Sequence, residues 1–178
     1  MILKGQKTQL RAVEPEDIQL IFEWENNENN WQLSNTLTPF SKHSIKQFVE
    51  VEHRGIFENK QLRLMIDAHS IPKTVGSIDL FDFDPFHLRA GVGILINDLS
   101  DRQEGYASEG LDLLIEYAKE VLALNQLYCS ISPSNKASIQ LFESKGFTHT
   151  GTQKLWHRTS KHQWEDIYFY QLILEPNA

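Results

Sequence analysis

Cysteine and long apolar runs are scarce in this sequence. Cys129 is the one cysteine among 178 residues, so an internal disulfide and a cysteine-based metal cluster are excluded. It lies in the apolar run 127–131, where we expect a small core residue rather than a nucleophile. No apolar run approaches the roughly 20 residues that a membrane-spanning helix needs, and the N-terminus turns polar too early for a signal peptide. We therefore predict a cytoplasmic protein that does not enter a membrane.

Basic residues are also fewer than acidic residues. The 17 Lys and Arg residues stand against 24 Asp and Glu, which gives a formal net charge of -7 and argues against a nucleic-acid binder. An acidic surface attracts cationic amines, but it also keeps a protein in solution, and the sequence alone favours the second role.

The signatures of several enzyme classes are missing. The seven histidines show no metal-ligand spacing and no His-Glu-x-x-His occurs, so we predict no metal site. There is no Gly-x-Ser-x-Gly nucleophile elbow. The Gly-Lys-Ser/Thr of a P-loop and the repeated glycines of a dinucleotide fingerprint are also absent.

Length and element order indicate one mixed-sheet domain. A chain of 178 residues with 40% hydrophobic content suits a single domain, 1–178, with one core. Early helices are followed by an antiparallel strand meander and then by βα crossovers, which favours an α+β fold. Strands are predicted at 9–13, 61–67, 74–84, 89–96, 126–131, 147–155 and 165–174. Helices are predicted at 15–25, 42–54 and 138–144 and from Gly105 to Ala118, with a loop at 28–39.

The central stretch runs from the apolar strand 92–96 through a polar loop into an amphipathic helix. The loop reads Arg102-x-x-Gly105-x-Ala107. N–H groups in the first turn of a helix have no intrahelical partner, and the helix dipole favours an anion there. Gly105 lets the backbone approach a ligand, and Ala107 keeps the next contact small. An ordinary strand-to-helix turn has the same features, so the loop alone leaves both interpretations open.

A second informative stretch follows one strand later. It reads Asn-x-x-Ser-x-x-Leu-Phe-x-x-x-Gly-Phe from Asn135 to Phe147. Asn135 is a favourable N-cap, and Gly146 is a favourable residue just past the helix end.

Together the two motifs resemble those of the GNAT N-acetyltransferases, and within that family the ribosomal-protein-alanine and spermidine N-acetyltransferases. The resemblance covers nearly the whole chain. It implies a GNAT-like (acyl-CoA N-acyltransferase) fold, with a mixed central sheet flanked by helices and a splayed strand pair. It also implies direct transfer of an acetyl group from acetyl-CoA to a primary amine of a peptide N-terminus, a polyamine or a small molecule. An acyl-CoA-binding or sensing module with little turnover, and a nucleotide-binding regulator, stay open. A homodimer is compatible with the hydrophobic C-terminal strand.

The resemblance also implies which residues bind the cofactor. The strand before the loop would receive the pantetheine arm, the loop would receive the diphosphate, and the helix after Asn135 would complete the site. The implied cofactor-binding residues are Ile94, Leu95, Ile96, Arg102, Gln103, Glu104, Gly105, Tyr106, Ala107, Ser108, Asn135, Ser138 and Phe142. Glu104 is a departure, since a carboxylate beside a diphosphate is unfavourable unless it points to solvent. Phe142 is a second departure, because many members carry a Tyr there that protonates the CoA thiolate, and Phe has no proton to give.

Candidate acid–base groups are few. Free alkyl amines are mostly protonated at neutral pH, so a base is needed. Asp79 and Asp82 lie on the strand before the cofactor strand, and strict alternation puts them on opposite faces. Ser138 is a substitute for the missing Tyr, although helix capping explains it equally well.

The acceptor site is indicated only by the resemblance. In the family, the helical region after the first strand forms one wall of the acceptor pocket, which implicates Trp31, Phe40 and Phe48 in substrate binding. Each of these aromatic residues is also a normal core residue. His157 and His162 are further candidates, although their segment is typical of an exposed hairpin.

Overall fold

The computed structural model describes residues 3–34 and 36–174. Within these ranges the chain forms eight strands and six α-helices. The strands are β1 (Leu3–Lys4), β2 (Thr8–Ala12), β3 (Leu62–Ala68), β4 (Lys73–Asp84), β5 (Arg89–Ile96), β6 (Gln126–Ile131), β7 (Thr148–Ser160) and β8 (Gln163–Ile173). The helices are α1 (Ile18–Glu25), α2 (Glu28–Ser34), α3 (Lys42–Val51), α4 (Ile56–Asn59), α5 (Tyr106–Glu120) and α6 (Lys136–Ser144). In this part of the chain no helix combines the length and apolar character needed to cross a bilayer.

All eight strands join one sheet in the order β1-β2-β3-β4-β5-β6-β8-β7. Neighbouring strands are antiparallel except for β5 and β6, which are parallel. A parallel pair needs a crossover connection, and α5 supplies it. The predicted mixed α+β sheet is confirmed.

The parallel pair opens into a gap. β5 and β6 are paired only from Arg89↔Gln126 to Gly91↔Tyr128, whereas β5 stays paired with β4 as far as Ile96. The N–H of Asn97 donates to the carbonyl of Val75 on β4 at 3.1 Å. Backbone groups of successive strand residues point to opposite sides, so Ile94 and Ile96 direct their N–H and C=O groups into the gap. The splayed strand pair implied by the resemblance is therefore present.

Helices cover both faces of the sheet. On one face α5 packs its apolar stripe, including the fully buried Leu111 and Leu114, against the core. On the other face α1 and α3 form a smaller cluster around Met65 of β3. This second cluster leaves part of the sheet face uncovered beside the gap.

Most predicted elements are present, with instructive differences. The bounds of β5 and β6 agree with the prediction residue for residue. The loop predicted at 28–39 is wrong over Glu28–Ser34, which form α2; residue 35 lies outside the described residues. β1 and α4 are additional elements, and the hairpin of β7 and β8 extends further than predicted, to Ser160 and Gln163.

The side-chain alternation of β4 is interrupted twice. In the pairing of β4 with β3, the register shifts between Ile66 and Asp67 of β3. In the pairing of β4 with β5, it shifts between Phe81 and Asp84 of β4. At the second shift Asp82 has a φ of 49°, in the left-handed region. Each bulge adds one residue to β4 and reverses the direction of the side chains beyond it. The prediction that Asp79 and Asp82 lie on opposite faces is therefore wrong.

Candidate active site

A cleft of about 750 Å³ opens where β5 and β6 diverge. Its walls come from the second half of β5, the loop and first turn of α5, and one side of α6 along its whole length. It is lined by Ile94, Leu95, Ile96, Asp101, Arg102, Gln103, Gly105, Tyr106, Ala107, Ser108, Asn135, Ala137, Ser138, Gln140, Leu141 and Ser144. All of the predicted cofactor residues except Glu104 and Phe142 are among them. Two motifs that are separate in sequence thus face one space.

The start of α5 has the geometry of an anion site. Gly105 is the N-cap residue, with a φ of 90° that L side chains rarely adopt. A Cβ atom there would also lie 3.0 Å from the Nζ of Lys7. The N–H groups of the following turn, from Tyr106 to Ser108, lack intrahelical acceptors and line the cleft. Together with the helix dipole, these groups suit a diphosphate.

Lys7 places a positive charge at the back of this loop. Its Nζ donates to the carbonyl of Glu104 at 2.9 Å. The turn that carries Lys7 is held by the Glu109 carboxylate, which accepts from the N–H groups of Gln6, Lys7 and Thr8 at 2.8, 2.8 and 2.6 Å. Lys7 could not be recognised from the sequence, because 97 positions separate it from Glu104 and no local pattern marks the contact.

The acidic residues of the loop do not place an unpaired negative charge in the cleft. Glu104 is exposed and does not line the cleft. Asp101 is buried, and its carboxylate accepts from the Nζ of Lys73 at 2.7 Å. Arg102 folds back on the end of β5, where its Nε donates to the carbonyl of Ile96 at 3.1 Å.

The start of α6 forms the opposite wall of the cleft. The Oδ1 of Asn135 accepts from the N–H of Ser138 at 3.1 Å, which confirms the predicted N-cap. Phe142 is only 3% exposed and packs edge-on against Phe147, with 4.9 Å between ring centroids. It lies in the core rather than at the cleft surface.

A second cavity, of about 510 Å³, lies on the other side of β5. Ile94 and Leu95 border both spaces. The second cavity is lined by Ile21, Trp24, Glu25, Asn30, Arg63, Ser77, Asp79, Phe81, Asp82, Val92, Gly93, Ile94, Leu95, Tyr128, Ser130, Trp156, His157 and Ile167. Three carboxylates and one guanidinium make its wall acidic, and four large aromatic rings border it.

Arg63 binds two of the three carboxylates. Its Nε donates to Asp79 at 2.6 Å and its Nη1 to Glu25 at 2.6 Å, while its guanidinium lies 5.2 Å from the Phe48 ring centroid. Burial would lower the pKa of Arg63, but Asp79 and Glu25 outweigh it and raise that pKa. Asp79 is thus committed to a structural ion pair.

Asp82 is the more available carboxylate. It is exposed and, within the described residues, takes part in no ion pair. Burial raises the pKa of the neighbouring Tyr128 hydroxyl, and the charge of Asp82 adds to that rise. The phenol therefore stays protonated at neutral pH and can donate a hydrogen bond to the Asp82 carboxylate.

The three predicted acceptor residues lie outside the second cavity. Trp31 donates from Nε1 to the carbonyl of Glu25 at 2.9 Å, Phe40 is exposed and fixed by Asn26, and Phe48 stacks behind Arg63. The aromatic residues that do line it are Trp24, Phe81, Tyr128 and Trp156. His157 lines it as well. Within the described residues no cluster of His, Cys, Asp or Glu could hold a metal.

These features define a class of protein. An anion-binding helix start and an acidic cavity flank one strand of an open sheet, so a phosphorylated carrier and a cationic nucleophile can meet across that strand. Such an arrangement is that of an acyltransferase that uses an acylated carrier.

Comparison with known proteins identifies the family. The profile described as "Acetyltransferase (GNAT) domain" matches residues 7–148. The chain therefore belongs to the GNAT acetyltransferase family, and it is an N-acetyltransferase.

Three known proteins illustrate the similarity. The uncharacterized N-acetyltransferase p20 of Bacillus licheniformis is 25% identical over 179 residues, covering 99% of this chain and 98% of p20. The spermidine N(1)-acetyltransferase of Vibrio cholerae is 24% identical over 146 residues, covering 80% and 79% of the two chains. A crystal structure of the Vibrio cholerae spermidine N-acetyltransferase with CoA and spermine superposes with a TM-score of 0.81 at 20% identity, covering 96% and 97%. This last similarity shows the fold.

Proposed function

We propose that the protein transfers an acetyl group from acetyl-CoA to a cationic primary amine by direct attack. The observation that carries this proposal is the shared wall of the two spaces: Ile94 and Leu95 border both the anion-binding cleft and the acidic cavity. A thioester held in the gap and an amine held in the cavity would meet at this wall without a covalent enzyme intermediate.

The cleft would hold acetyl-CoA through groups of matching chemistry. We assign the diphosphate to the N–H groups of Gly105 to Ser108, with Arg102 and Gln103 beside them. The pantetheine arm would follow the edge of β5 from Ile94 to Ile96, which β6 leaves unpaired, and Asn135 and Ser138 would border it from α6. The N–H of Ile94 points into the gap, where it would stabilise negative charge on the carbonyl oxygen. The CoA bound in the related solved structure supports this assignment.

The reaction needs two proton transfers. The ammonium gives one proton to a base, its nitrogen forms a C–N bond with the acetyl carbon and gives up a second proton, and the C–S bond breaks as the CoA thiolate leaves and takes up that second proton. We assign proton removal to Asp82, directly or through water, because Asp79 is bound to Arg63. Ser138 stays our candidate for the proton that reaches the thiolate, since Phe142 has none.

The cavity favours an acceptor with positive charge. Asp82 and the pair of carboxylates around Arg63 give the cavity a net negative charge, while Trp24 and Trp156 offer aromatic faces to a cation. A polyamine, a peptide N-terminus and a small-molecule amine all fit this description. Spermidine is the first acceptor to test, because the Vibrio cholerae relative is named for it.

Two measurements test the proposal. Calorimetry should show binding of acetyl-CoA at sub-millimolar concentration. A thiol-release assay over spermidine, peptides with free N-termini and aminoglycosides should show turnover with at least one amine. Absence of acetyl-CoA binding would contradict the proposal.

The second candidate function is an acyl-CoA-binding or sensing module. The burial of Phe142 at the position of the usual Tyr acid favours it. Binding of acetyl-CoA without turnover on any amine would support this function instead.

A homodimer and a cytoplasmic location also belong to the proposal. Leu155, Trp156 and Trp164 are 67%, 60% and 53% exposed on the hairpin at the outer edge of the sheet, where a second copy would cover apolar surface. Light scattering should give twice the chain mass; a monomer would contradict this.

A further inference from the structure

Gly93 of β5 lies at the floor of the acidic cavity, and nothing in the fold requires a glycine there. Its φ is not in the left-handed region, unlike that of Gly105. A Cβ atom added at Gly93 would meet only the Cε1 atom of Phe81, at an ordinary contact distance of 3.7 Å. By contrast, a Cβ at Gly91, two residues earlier on the same face, would lie 2.3 Å from the Phe81 ring. Packing explains Gly91, but it leaves Gly93 unexplained.

The space above Gly93 adjoins the shared wall. Gly93 lines the acidic cavity but not the cofactor cleft. It pairs across the strands with Asp79, and it directly precedes Ile94, the residue at which the two spaces meet. The space over the Cα of Gly93, with the edge of the Phe81 ring on one side, would then be the passage by which an amine in the cavity reaches this wall.

We propose that Gly93 is a specificity-determining residue that keeps this passage wide enough for the carbon bearing the reactive amine. The proposal rests on the proposed function, because it takes the acidic cavity as the acceptor site. A methyl group at Gly93 would narrow the passage from below. A straight-chain amine R-CH2-NH3⁺ would still pass, whereas an amine branched at the carbon next to nitrogen would collide with the methyl group.

The test uses Gly93→Ala, with Gly151→Ala as a matched control. A Cβ at Gly151 would meet nothing within 4 Å, and this residue of β7 lines neither space. The probes are n-butylamine and sec-butylamine, titrated by calorimetry into protein saturated with CoA. We expect Gly93→Ala to weaken sec-butylamine binding by about tenfold, as one methyl group does in a fitted site. Binding of n-butylamine should fall less, CoA affinity should be unchanged, and Tm should equal or exceed that of the parent chain. Gly151→Ala should change none of these.

Several outcomes would overturn the assignment. The first is that Gly93→Ala and the parent chain bind sec-butylamine equally well. The second is that Gly93→Ala loses affinity for CoA as well as for sec-butylamine, or has a lowered Tm. The third is that the parent chain binds neither amine. Acetyl transfer is measured separately. A parent chain that binds both amines but acetylates no acceptor would contradict the proposed function, while the effect of Gly93→Ala on amine binding would still support the passage.

Discussion

At the scale of single residues, the two aspartates of β4 differ in their surroundings. Sequence alternation separates Asp79 from Asp82, but the bulge before Asp84 brings both to one cavity. Arg63 then distinguishes them, because it binds Asp79 and leaves Asp82 without an ion pair among the described residues. Nothing local in the sequence pairs Arg63 with Asp79, since they meet only when β3 and β4 align.

Substitution of each aspartate should separate catalysis from stability. Asp82→Asn should lower kcat/KM for the amine by about 100-fold, as loss of an acid–base group does, with little change in the free energy of unfolding. Asp79→Asn should cost about 3 kcal/mol, because a largely buried guanidinium loses one of its carboxylates. Steady-state kinetics and urea unfolding measure the two effects. A fully active Asp82→Asn would rule out Asp82 as the base.

At the scale of elements, the turn between β1 and β2 docks onto α5 and onto the loop that leads into it. Lys7→Met should raise KM for acetyl-CoA about 2- to 5-fold without changing kcat. A single exposed charge near a helix terminus contributes about 0.3–1 kcal/mol, which corresponds to this change in KM. The effect should shrink in high salt, which screens exposed charges. Lys7→Arg should restore KM, and Lys4→Met on the exposed part of β1 serves as the control. An unchanged KM in Lys7→Met would show that this charge does not act on the cofactor.

The Glu109 carboxylate holds the same contact and makes it depend on pH. Burial would raise the pKa of Glu109, but hydrogen bonds from the Thr8 hydroxyl and from the N–H groups of Gln6, Lys7 and Thr8 outweigh it and lower that pKa. A carboxyl with a lowered folded pKa stabilises the fold fully above its ordinary value of 4.5, and this contribution is lost as the pH falls from 4.5 through the folded pKa.

Glu109→Gln should therefore lower the free energy of unfolding by about 1.5–3 kcal/mol at pH 7, the usual range for hydrogen bonds to a charged group. The difference from the parent chain should diminish below pH 4.5, where the parent chain loses the charge as well. Urea unfolding across this pH range measures it. A difference that does not vary with pH would show that the charge of Glu109 is not what holds the turn.

Elements fixed by local chemistry could be predicted from the sequence. β5 and β6 are apolar runs between turn residues, and Asn135 caps α6 through its own side chain. Helix α2 was missed because its two asparagines disfavour a helix. Contacts with distant residues hold it instead, including the bond from the Nδ2 of Asn30 to the Oδ1 of Asn97 at 3.0 Å.

At the scale of the whole molecule, the two halves of the site differ in how far the sequence predicts them. The cleft where β5 and β6 diverge is built from one strand–loop–helix segment and one capped helix, so its residues form recognisable motifs. The acidic cavity takes its walls from α1, α2, β3, β4, β5, β6, β7 and β8. Its aromatic residues and its arginine come together only through the sheet order, which no local sequence pattern marks, and Trp31, Phe40 and Phe48 do not line it.

Both spaces depend on the position of β5, and Gly76 of β4 tests that dependence. A Cβ atom at Gly76 would lie 2.0 Å from the carbonyl oxygen of Leu95, and a backbone atom cannot move aside as a side chain can. Gly76→Ala should therefore displace β5 and lower the free energy of unfolding by about 1–3 kcal/mol, as overpacking does.

Because Leu95 borders both spaces, the same variant should weaken the binding of CoA and of amine together. Gly93→Ala, on the same pair of strands, should weaken only the amine. Calorimetry with CoA and with n-butylamine, run on both variants beside urea unfolding, distinguishes the two patterns. If Gly76→Ala lost amine binding but kept CoA affinity, the two spaces would not share β5 as a common wall, and an acetyl group held in the gap could not be attacked from the cavity.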